Sequence, residues 1–303
     1  MLRLMRLSEI CRGFPVEVRR DAEIASLGLV EIPLEYRFVF VLSEPLLGKG
    51  REIGGVAAVL TGQDLAGRVG NEFGLVVSED PRRTFVELHN RLSSTEFYAS
   101  PGPTKIDSSA QVHPGAIVSP IGVVIEQHSM VGAGAIIEPH TSIAEDVRIM
   151  PGAVLGSDGF QTMKFKDAMI DLRHAGGLEV GPRSVIMANA VLARAVFRQS
   201  TRIGADCRIG NGAFVSHNVQ IGDRTLVGHG AVVAGNCTIG TDVTIGPGAI
   251  CLDRLHIGDG AYVTAGAVVT KSIGKGERVS GNFAIRHDQH IEFVKLISAD
   301  HRE

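Results

Sequence analysis

A histidine and a glycine are the residues whose types and spacing point most clearly to chemistry. His217 and Gly235 hold the third position of two six-residue units, Val215-Ser-His-Asn-Val-Gln and Val233-Ala-Gly-Asn-Cys-Thr, eighteen residues apart. Both are expected near a corner of the fold, with the histidine side chain pointing outward. A neutral imidazole acts as a general base, and a backbone N–H stabilises an oxyanion. Held about one strand spacing apart, the pair would suit acyl transfer to an amine or a hydroxyl group.

A six-residue repeat is the element that must bring this pair together. Between Ile203 and Val269 every sixth residue is Ile or Val, apart from Cys251, twelve times in succession. A period of six fits neither a helix nor a two-faced strand, but it fits a chain that turns a corner every six residues. Three units then form one triangular coil, and successive coils stack as parallel strands. We therefore predict a mainly β fold, a parallel β-helix, with Cys207 and Cys237 as small core residues.

The repeat is interrupted at three places. Its register begins at Ile106, slips by one residue before Ile125, disappears over residues 157–178, resumes at Val180 and slips again at Phe197. Twenty-five units predict about eight coils. A long loop inside a regular coil usually has a function, so we expect the loop at 157–178 to reach a neighbouring subunit or a ligand.

The interruptions and the composition divide the chain into three parts. Residues 1–100 lack the repeat and contain strand-like and helix-like segments, among them a helix over residues 81–92, so we predict a small α/β domain. Residues 101–281 form the β-helix, entered through a linker at 99–104. Residues 282–303 have helical spacing of apolar residues and are predicted to form a helical cap.

The overall composition excludes several classes of protein. The chain has 303 residues and a net charge of −3. It therefore has no positive electrostatic field to attract nucleic acid or an anionic membrane. No apolar run is long enough to span a membrane and no signal sequence is visible, so we expect a cytoplasmic protein. Residues 1–100 also lack the glycine-rich, basic loop of a fused nucleotidyltransferase.

Two other types of site were weighed against the base and oxyanion pair. Some β-helices of this kind bind zinc through three histidines on neighbouring coils. Here His217 and His229 fall on different faces without a third partner, so we predict no metal. A β-helix protein that is not an enzyme, but a scaffold or a binder of a carrier protein, stays open as an alternative.

Three motifs resemble the UDP-3-O-acylglucosamine N-acyltransferases, a family of left-handed β-helix, hexapeptide-repeat acyltransferases. They are Gly156-Ser-Asp-Gly-Phe160, Phe214-Val-Ser-His-Asn-Val-Gln-Ile-Gly222 and Leu75-Val-Val-Ser-Glu-Asp-Pro-Arg-Arg-Thr-Phe85. The resemblance implies a left-handed coil and a homotrimer with active sites between the β-helices of neighbouring subunits. It also implies that His217 is the catalytic base and that Gly235 supplies the oxyanion amide.

The same resemblance suggests substrates and residues that bind them. The acyl donor would be acyl-CoA or acyl carrier protein, with no tightly bound cofactor, and the acceptor would be a nucleotide-linked amino sugar. The N-terminal domain would hold the nucleotide base, and the loop at 157–178 would line the sugar or acyl site. The candidate substrate-binding residues are Phe85, Asp158, Phe160, Arg194 and Asn218.

Several positions depart from the family pattern. Arg82 replaces the tyrosine that stacks on uracil, Gly210 replaces an aspartate, and Arg254 replaces a histidine near the acyl channel. The segment around Gly281-Asn-Phe-Ala is more similar to sugar acetyltransferases of surface-polysaccharide pathways. We therefore expect an N-acyltransferase of surface polysaccharide synthesis, with the lipid A enzyme of lipopolysaccharide synthesis as the alternative.

Overall fold

A computed structural model describes residues 3–98, 101–281 and 286–299, the last segment without the side chains of residues 290, 294 and 296–299. Part of the predicted linker, at 99–100, and parts of the predicted cap, at 282–285 and 300–303, lie outside the described residues. Within the described residues, no helix combines the length and the apolar character needed to cross a bilayer.

The N-terminal part is a small α/β unit built on a five-stranded sheet. Its strands run in the order β2, β7, β6, β5, β4, all parallel except β2, while β1 pairs with β3 in a separate ribbon. The elements are β1 (Met5–Arg6), α1 (Leu7–Ile10), β2 (Glu17–Arg20), β3 (Glu23–Ile24), β4 (Ser26–Leu27), β5 (Arg37–Phe40), α2 (Glu44–Ile53), β6 (Val56–Thr61), α3 (Gln63–Ala66), β7 (Gly74–Val77) and α4 (Pro81–Ser93). Helix α4 begins as predicted at Asp80-Pro81, where the Asp80 carboxylate accepts the Arg83 N–H at 3.0 Å.

The repeat forms a three-sided parallel β-helix, which confirms the predicted fold. Its strands are two to four residues long, the hairpin β17–β18 lies outside the coil, and helix α5 follows the last strand. They are β8 (Lys105–Ile106), β9 (Gln111–Val112), β10 (Ile117–Val118), β11 (Val123–Ile125), β12 (Met130–Val131), β13 (Ile136–Ile137), β14 (Thr141–Ile143), β15 (Arg148–Ile149), β16 (Val154–Ser157), β17 (Thr162–Lys164), β18 (Met169–Asp171), β19 (Gly177–Val180), β20 (Val185–Ile186), β21 (Val191–Ala193), β22 (Ser200–Ile203), β23 (Arg208–Ile209), β24 (Phe214–Val215), β25 (Gln220–Ile221), β26 (Leu226–Val227), β27 (Val232–Val233), β28 (Thr238–Ile239), β29 (Thr244–Ile245), β30 (Ile250–Cys251), β31 (His256–Ile257), β32 (Tyr262–Val263), β33 (Val268–Val269), β34 (Arg278–Val279) and α5 (His287–Ala299).

Each side of the coil is one parallel sheet. The first face has eight strands, β10-β13-β16-β21-β24-β27-β30-β33, and the second has eight, β8-β11-β14-β19-β22-β25-β28-β31. The third has nine, β9-β12-β15-β20-β23-β26-β29-β32-β34. About eight coils were predicted, and eight or nine strands on each face agree with that number.

Buried aliphatic residues fill the coil, and small residues permit its tight stacking. Most of the predicted inward positions, including Cys207, Cys237 and Cys251, form one buried core, whereas Ile106 at the start of the coil is exposed. Burial raises the pKa of the Cys251 thiol to about 12, as suits an apolar filler. Glycine at the second position leaves room for the next coil, because a Cβ on Gly222 would lie 2.7 Å from the carbonyl carbon of Gly240.

The predicted register is wrong at Phe197. Ile203 on β22 pairs with Ile221 on the next coil, eighteen residues further along the chain. Val180 on β19 pairs with Ile203 itself, so the coil between these two residues is five residues longer than a regular one. The extra residues bulge out of the coil after β21. Phe197 lies in this bulge, 2% exposed, and packs into the core of the N-terminal unit.

The loop at 157–178 folds back onto its own chain, and its contact with a ligand or a neighbouring subunit stays a prediction. It contains the antiparallel hairpin β17–β18, and its apolar residues pack against the core of the N-terminal unit. Leu172 is 4% exposed there. At the tip, Arg83 on α4 pairs with Asp167 at 2.8 Å. Burying these side chains against α4 removes more apolar surface from water than an extended arm would.

Candidate functional site

His217 and Gly235 lie at one corner of the β-helix, where the first face meets the second. His217 follows β24 and Gly235 follows β27. These two strands are parallel neighbours in which Phe214 pairs with Val232. A Cβ built on Gly235 would lie 2.6 Å from Cε1 and 2.7 Å from Nε2 of the imidazole. The ring therefore lies directly against the glycine backbone, as the eighteen-residue spacing predicted.

The Gly235 N–H is available for a ligand. Its neighbour Asn236 donates its N–H to the His217 carbonyl at 3.0 Å, which fixes the stacking of the two coils. Among the described residues, the Gly235 N–H itself has no hydrogen-bond acceptor. A base and an unused amide donor thus stand on adjacent coils.

The His217 side chain was predicted to point outward from the coil, and the structure shows that it is covered there and not exposed to solvent. Only 5% of the residue is exposed, because the loop at 157–178 covers it. A Cβ on Gly159 of this loop would lie 3.4 Å from Cδ2 of His217. Burial lowers the pKa of His217, the Asp253 carboxylate opposes this effect, and the Arg254 guanidinium adds to it. The imidazole is therefore held in its neutral form, as a base requires.

His174 is a site residue that the sequence analysis missed. Its ring packs edge to face on that of His217 with centroids 5.6 Å apart, and 4% of the residue is exposed. Its Nε2 accepts the N–H of Gly159 at 3.1 Å. Burial, more than any nearby charge, lowers its pKa to about 4. His174 lies outside the repeat, so no spacing rule could place it.

Two of the predicted substrate-binding residues form an ion pair beside these rings. Arg194 contacts Asp158 at 2.7 Å, with 19% and 49% of their side chains exposed. Both charges act on His174, since Asp158 raises its pKa and Arg194 lowers it. The structure thus brings Asp158 and Arg194 to the corner that holds His217.

Asn218 supports the corner rather than facing a ligand freely. Its backbone has φ +60, a left-handed conformation that asparagine tolerates. Its Oδ1 accepts the N–H of Val196 and its Nδ2 donates to Asn236, both at 2.9 Å. Its amide is therefore occupied in ordering the turn next to His217.

The two aromatic candidates lie in opposite environments. Phe85 is fully buried and packs on Phe40 and Phe197, with ring centroids 4.8 and 5.9 Å away. Its assignment to a nucleotide site is therefore wrong, because a core side chain cannot stack on a base. Phe160 is 88% exposed at the start of the loop, so its assignment as a substrate contact stays a prediction.

A cleft of about 1240 Å³ opens beside the corner. One wall is apolar and comes from residues 29–34 of the N-terminal unit, and the other is the second face of the coil. Three of its basic residues form ion pairs, Lys49 with Glu31, Arg202 with Glu179 and Arg254 with Asp253. A fourth, Arg198, donates instead to the backbone carbonyls of Ala25 and Phe97. It ends at Asn218, Asn236 and Arg254, next to His217 and Gly235.

The remaining histidine considered in the sequence has a different environment. His229 holds the same third position in its unit as His217 but is exposed, and its Nδ1 accepts the N–H of Asn211 at 3.0 Å. Among the described residues, no group of three His, Cys, Asp or Glu side chains could hold a metal ion.

Comparison with known proteins identifies the repeat. The pattern of the bacterial transferase hexapeptide (six repeats) matches residues 200–235 and 218–253. A UDP-3-O-acylglucosamine N-acyltransferase of Maricaulis maris is 35% identical over 92 residues, which cover 29% of this chain and 26% of that protein. One from Pseudomonas syringae pv. syringae is 28% identical over 155 residues, which cover 39% and 44%. The matches thus span less than half the length of these relatives.

Among solved structures, two acyltransferases are similar to this chain at low identity. A UDP-N-acetylglucosamine acyltransferase from Campylobacter jejuni has a TM-score of 0.46 at 17% identity, covering 66% of this chain and 85% of that one. The corresponding enzyme from Moraxella catarrhalis has a TM-score of 0.40 at 22% identity, covering 63% and 76%. By its own repeats and its three parallel sheets, this chain is a three-sided parallel β-helix whose repeat is similar to that of the hexapeptide transferases.

Proposed function

We propose that the protein is an N-acyltransferase that moves an acyl group from a thioester to the amine of a nucleotide-linked amino sugar. The observation that carries the proposal is the neutral, buried imidazole of His217 lying against Gly235, whose N–H has no acceptor among the described residues. The relatives named UDP-3-O-acylglucosamine N-acyltransferase support the same class of reaction.

The two residues divide the work of one addition and one elimination. Nε2 of His217 takes a proton from the amine as its nitrogen attacks the thioester carbonyl, and the Gly235 N–H donates to the resulting oxyanion. When the oxyanion collapses, the C–S bond breaks and the proton on His217 passes to the departing thiolate. No covalent acyl-enzyme and no tightly bound cofactor are needed.

The cleft is the proposed binding site of the nucleotide sugar. The nucleotide base would lie against the apolar wall at 29–34, and the sugar would reach the corner beside Asn236. The Asp158–Arg194 pair, near the rings of His174 and His217, would hydrogen-bond the sugar hydroxyls. The acyl donor is acyl-CoA or acyl carrier protein, whose thioester must approach Gly235 from the side of the first face.

The relatives favour the lipid A substrate, and two local features favour a different substrate. The names of the matched proteins make UDP-3-O-acylglucosamine the first acceptor to test. Against this, Phe85 is buried and cannot hold uracil, and Arg254 borders the end of the cleft. A surface-polysaccharide amino sugar with a short or polar acyl group therefore remains the second candidate.

Turnover with a panel of substrates tests the proposal. We expect acylation of the free amine of a nucleotide amino sugar, with donors varied from acetyl to myristoyl on CoA and on acyl carrier protein and products measured by mass spectrometry. Arg254 at the cleft should favour short or polar acyl groups. A preference of about tenfold or more for long chains, worth about 1.4 kcal/mol, would establish the lipid A activity instead. Tight nucleotide-sugar binding without turnover of any thioester would support a non-catalytic binding protein.

The pH dependence of turnover tests the environment of the base. Because burial lowers the pKa of His217, its neutral form persists below pH 6.5, so the acid limb of kcat should lie below that value. Asp253→Asn removes the carboxylate that raises this pKa, and should move the limb to lower pH. Asp259→Asn, at another corner, is the control and should leave it in place. A limb at or above pH 6.5 in the wild-type protein would contradict the assignment.

A homotrimer is part of the proposal because the first face has an apolar outer surface. Successive outward residues of its eight strands pair in register, and none of them is polar. They are Ile117, Ile136, Val154, Val191, Phe214, Val232, Ile250 and Val268. Monomeric proteins rarely expose so long a contiguous apolar surface. A second copy of the chain fits it, and cyclic closure by three copies would place a neighbour beside His217.

Light scattering tests the trimer. We expect about 97 kDa, three times the 32.2 kDa chain. Val232→Lys puts a charge in the middle of the apolar row and should dissociate the assembly, since burying an unpaired charge costs several kcal/mol. Thr244→Lys, on the third face, is the matched control. A wild-type protein that is monomeric at micromolar concentration would contradict the proposal that a second copy of the chain lies beside His217.

A further inference from the structure

Helix α4 holds the backbone of the loop at 157–178 immediately before His174. Asn90 accepts the N–H of Arg173 at 2.9 Å through Oδ1 and donates to the carbonyl of Asp171 at 2.7 Å through Nδ2. His89 donates from Nε2 to the Arg173 carbonyl at 2.7 Å, with its other nitrogen on the Tyr98 hydroxyl. Three hydrogen bonds from two adjacent helix residues thus fix residues 171–173.

The side chain that follows this clamp reaches the proposed base. His174 packs its ring against that of His217 and accepts the N–H of Gly159. Gly159 in turn covers the other edge of the His217 ring. The imidazole of His217 is therefore bounded by Gly235 on one side and by His174 and Gly159 on another.

The hydrogen bond from Gly159 determines which ring nitrogen of neutral His174 carries the proton. Because Nε2 accepts an N–H, its lone pair is occupied and the ring proton resides on Nδ1. Nδ1 is buried and has no hydrogen-bond partner among the described residues. A neutral ring in this position packs on His217 without adding a positive charge where His217 would take up its proton.

We propose that His174 is a positioning residue for His217 and that helix α4 of the N-terminal unit sets the position of His174. The proposal rests on the proposed function of His217 as the base. It differs from a direct catalytic role, since His174 acts by holding a ring and a turn in place. The N-terminal unit then contributes to the chemical step through the backbone of the loop, besides forming one wall of the cleft.

Two substitutions of His174 test the positioning role. His174→Leu removes the acceptor for the Gly159 N–H at similar volume and should lower kcat by roughly 10- to 100-fold, as displaced catalytic groups do, with KM changed by less than about twofold. His174→Gln places a terminal amide near the Nε2 position, and its oxygen can accept the same N–H. It should recover most of the lost kcat. Circular dichroism and the melting temperature check that both variants fold.

Two substitutions on helix α4 test the coupling. Asn90→Ala removes two of the three hydrogen bonds beside His174. The matched control Arg83→Ala removes the ion pairs with Asp167 at the hairpin tip and with Glu87 on α4, neither of which involves residues 171–173. The Cε1–H resonance of His217, followed by NMR of the full chain with ¹³C-labelled histidine, reports on the ring without turnover. We expect Asn90→Ala and His174→Leu to shift this resonance and Arg83→Ala to leave it unchanged.

The outcomes separate this inference from the proposed function. If the wild-type protein turns over substrate but both His174→Leu and Asn90→Ala keep wild-type kcat and the wild-type resonance of His217, the inference is overturned while the function stands. If no thioester is turned over, the proposed function fails, and the resonance shifts still decide whether α4 and His174 position His217. Equal effects of Leu and Gln at position 174 would also overturn the role of the Gly159 hydrogen bond.

Discussion

Replacing His217 with Ala or Asn is expected to lower kcat by roughly 10²–10⁴, the usual contribution of a general base. The imidazole borders Gly235, the proposed oxyanion donor, and burial holds it neutral. Its Nδ1 has no partner in the described part of the chain, so removing the ring leaves no buried group newly unsatisfied. The melting temperature should therefore fall by only a few degrees.

The matched control is His229→Ala. His229 holds the same position in its six-residue unit but is exposed on another corner, so its removal should leave kcat within about twofold of wild type. Binding of the nucleotide sugar, measured by calorimetry, should survive both substitutions because the cleft is lined by other residues. If His217→Ala keeps more than about a third of the wild-type kcat, His217 is not the base.

Gly235→Ala is expected to lower kcat by roughly 100-fold through displacement of the His217 ring. The new methyl group would lie 2.6 and 2.7 Å from Cε1 and Nε2, closer than carbon atoms approach without a shift, and 3.0 Å from Oδ1 of Asp253. The backbone of Gly235 is outside the left-handed region, so alanine is tolerated by the main chain. The effect therefore falls on the imidazole and not on the coil.

A second glycine substitution separates this local effect from a general loss of stability. A Cβ on Gly102 meets no atom within 4 Å, so Gly102→Ala should leave both kcat and the melting temperature close to wild type. In Gly235→Ala, the ring resonance of His217 should shift while the oligomeric state is kept. Wild-type turnover in Gly235→Ala would show that the imidazole does not need this space, and would contradict the functional importance of the close contact between the ring and Gly235.

Strict periodicity is what made the coil predictable from the sequence. An aliphatic residue at every sixth position can be buried only if the chain turns after each unit, and eighteen-residue coils then follow from three units. The same arithmetic places Gly235 on the coil next to His217, where the structure has it. Local signals also located helix α4, since an aspartate followed by proline begins a helix.

The breaks in the periodicity could not be resolved in the same way. At Phe197 an apolar residue fits the register, yet the structure uses it in the core of the N-terminal unit, because a large aromatic gains more from burial there than from a place in a narrow coil. Phe85 shows the same limit. Its motif suggested a nucleotide contact, but its depth in a helix-and-sheet interface depends on contacts distant in sequence.

By itself, then, the sequence determined the coil, the number of its turns and the stacking of His217 on Gly235, all of which are local consequences of a period of six. Only the tertiary structure decided the burial of His217, the entry of His174 into the site and the attachment of the loop at 157–178 to helix α4. Those features depend on the loop folding back onto a unit about eighty residues earlier in the chain, and no spacing rule encodes which surface a loop will cover.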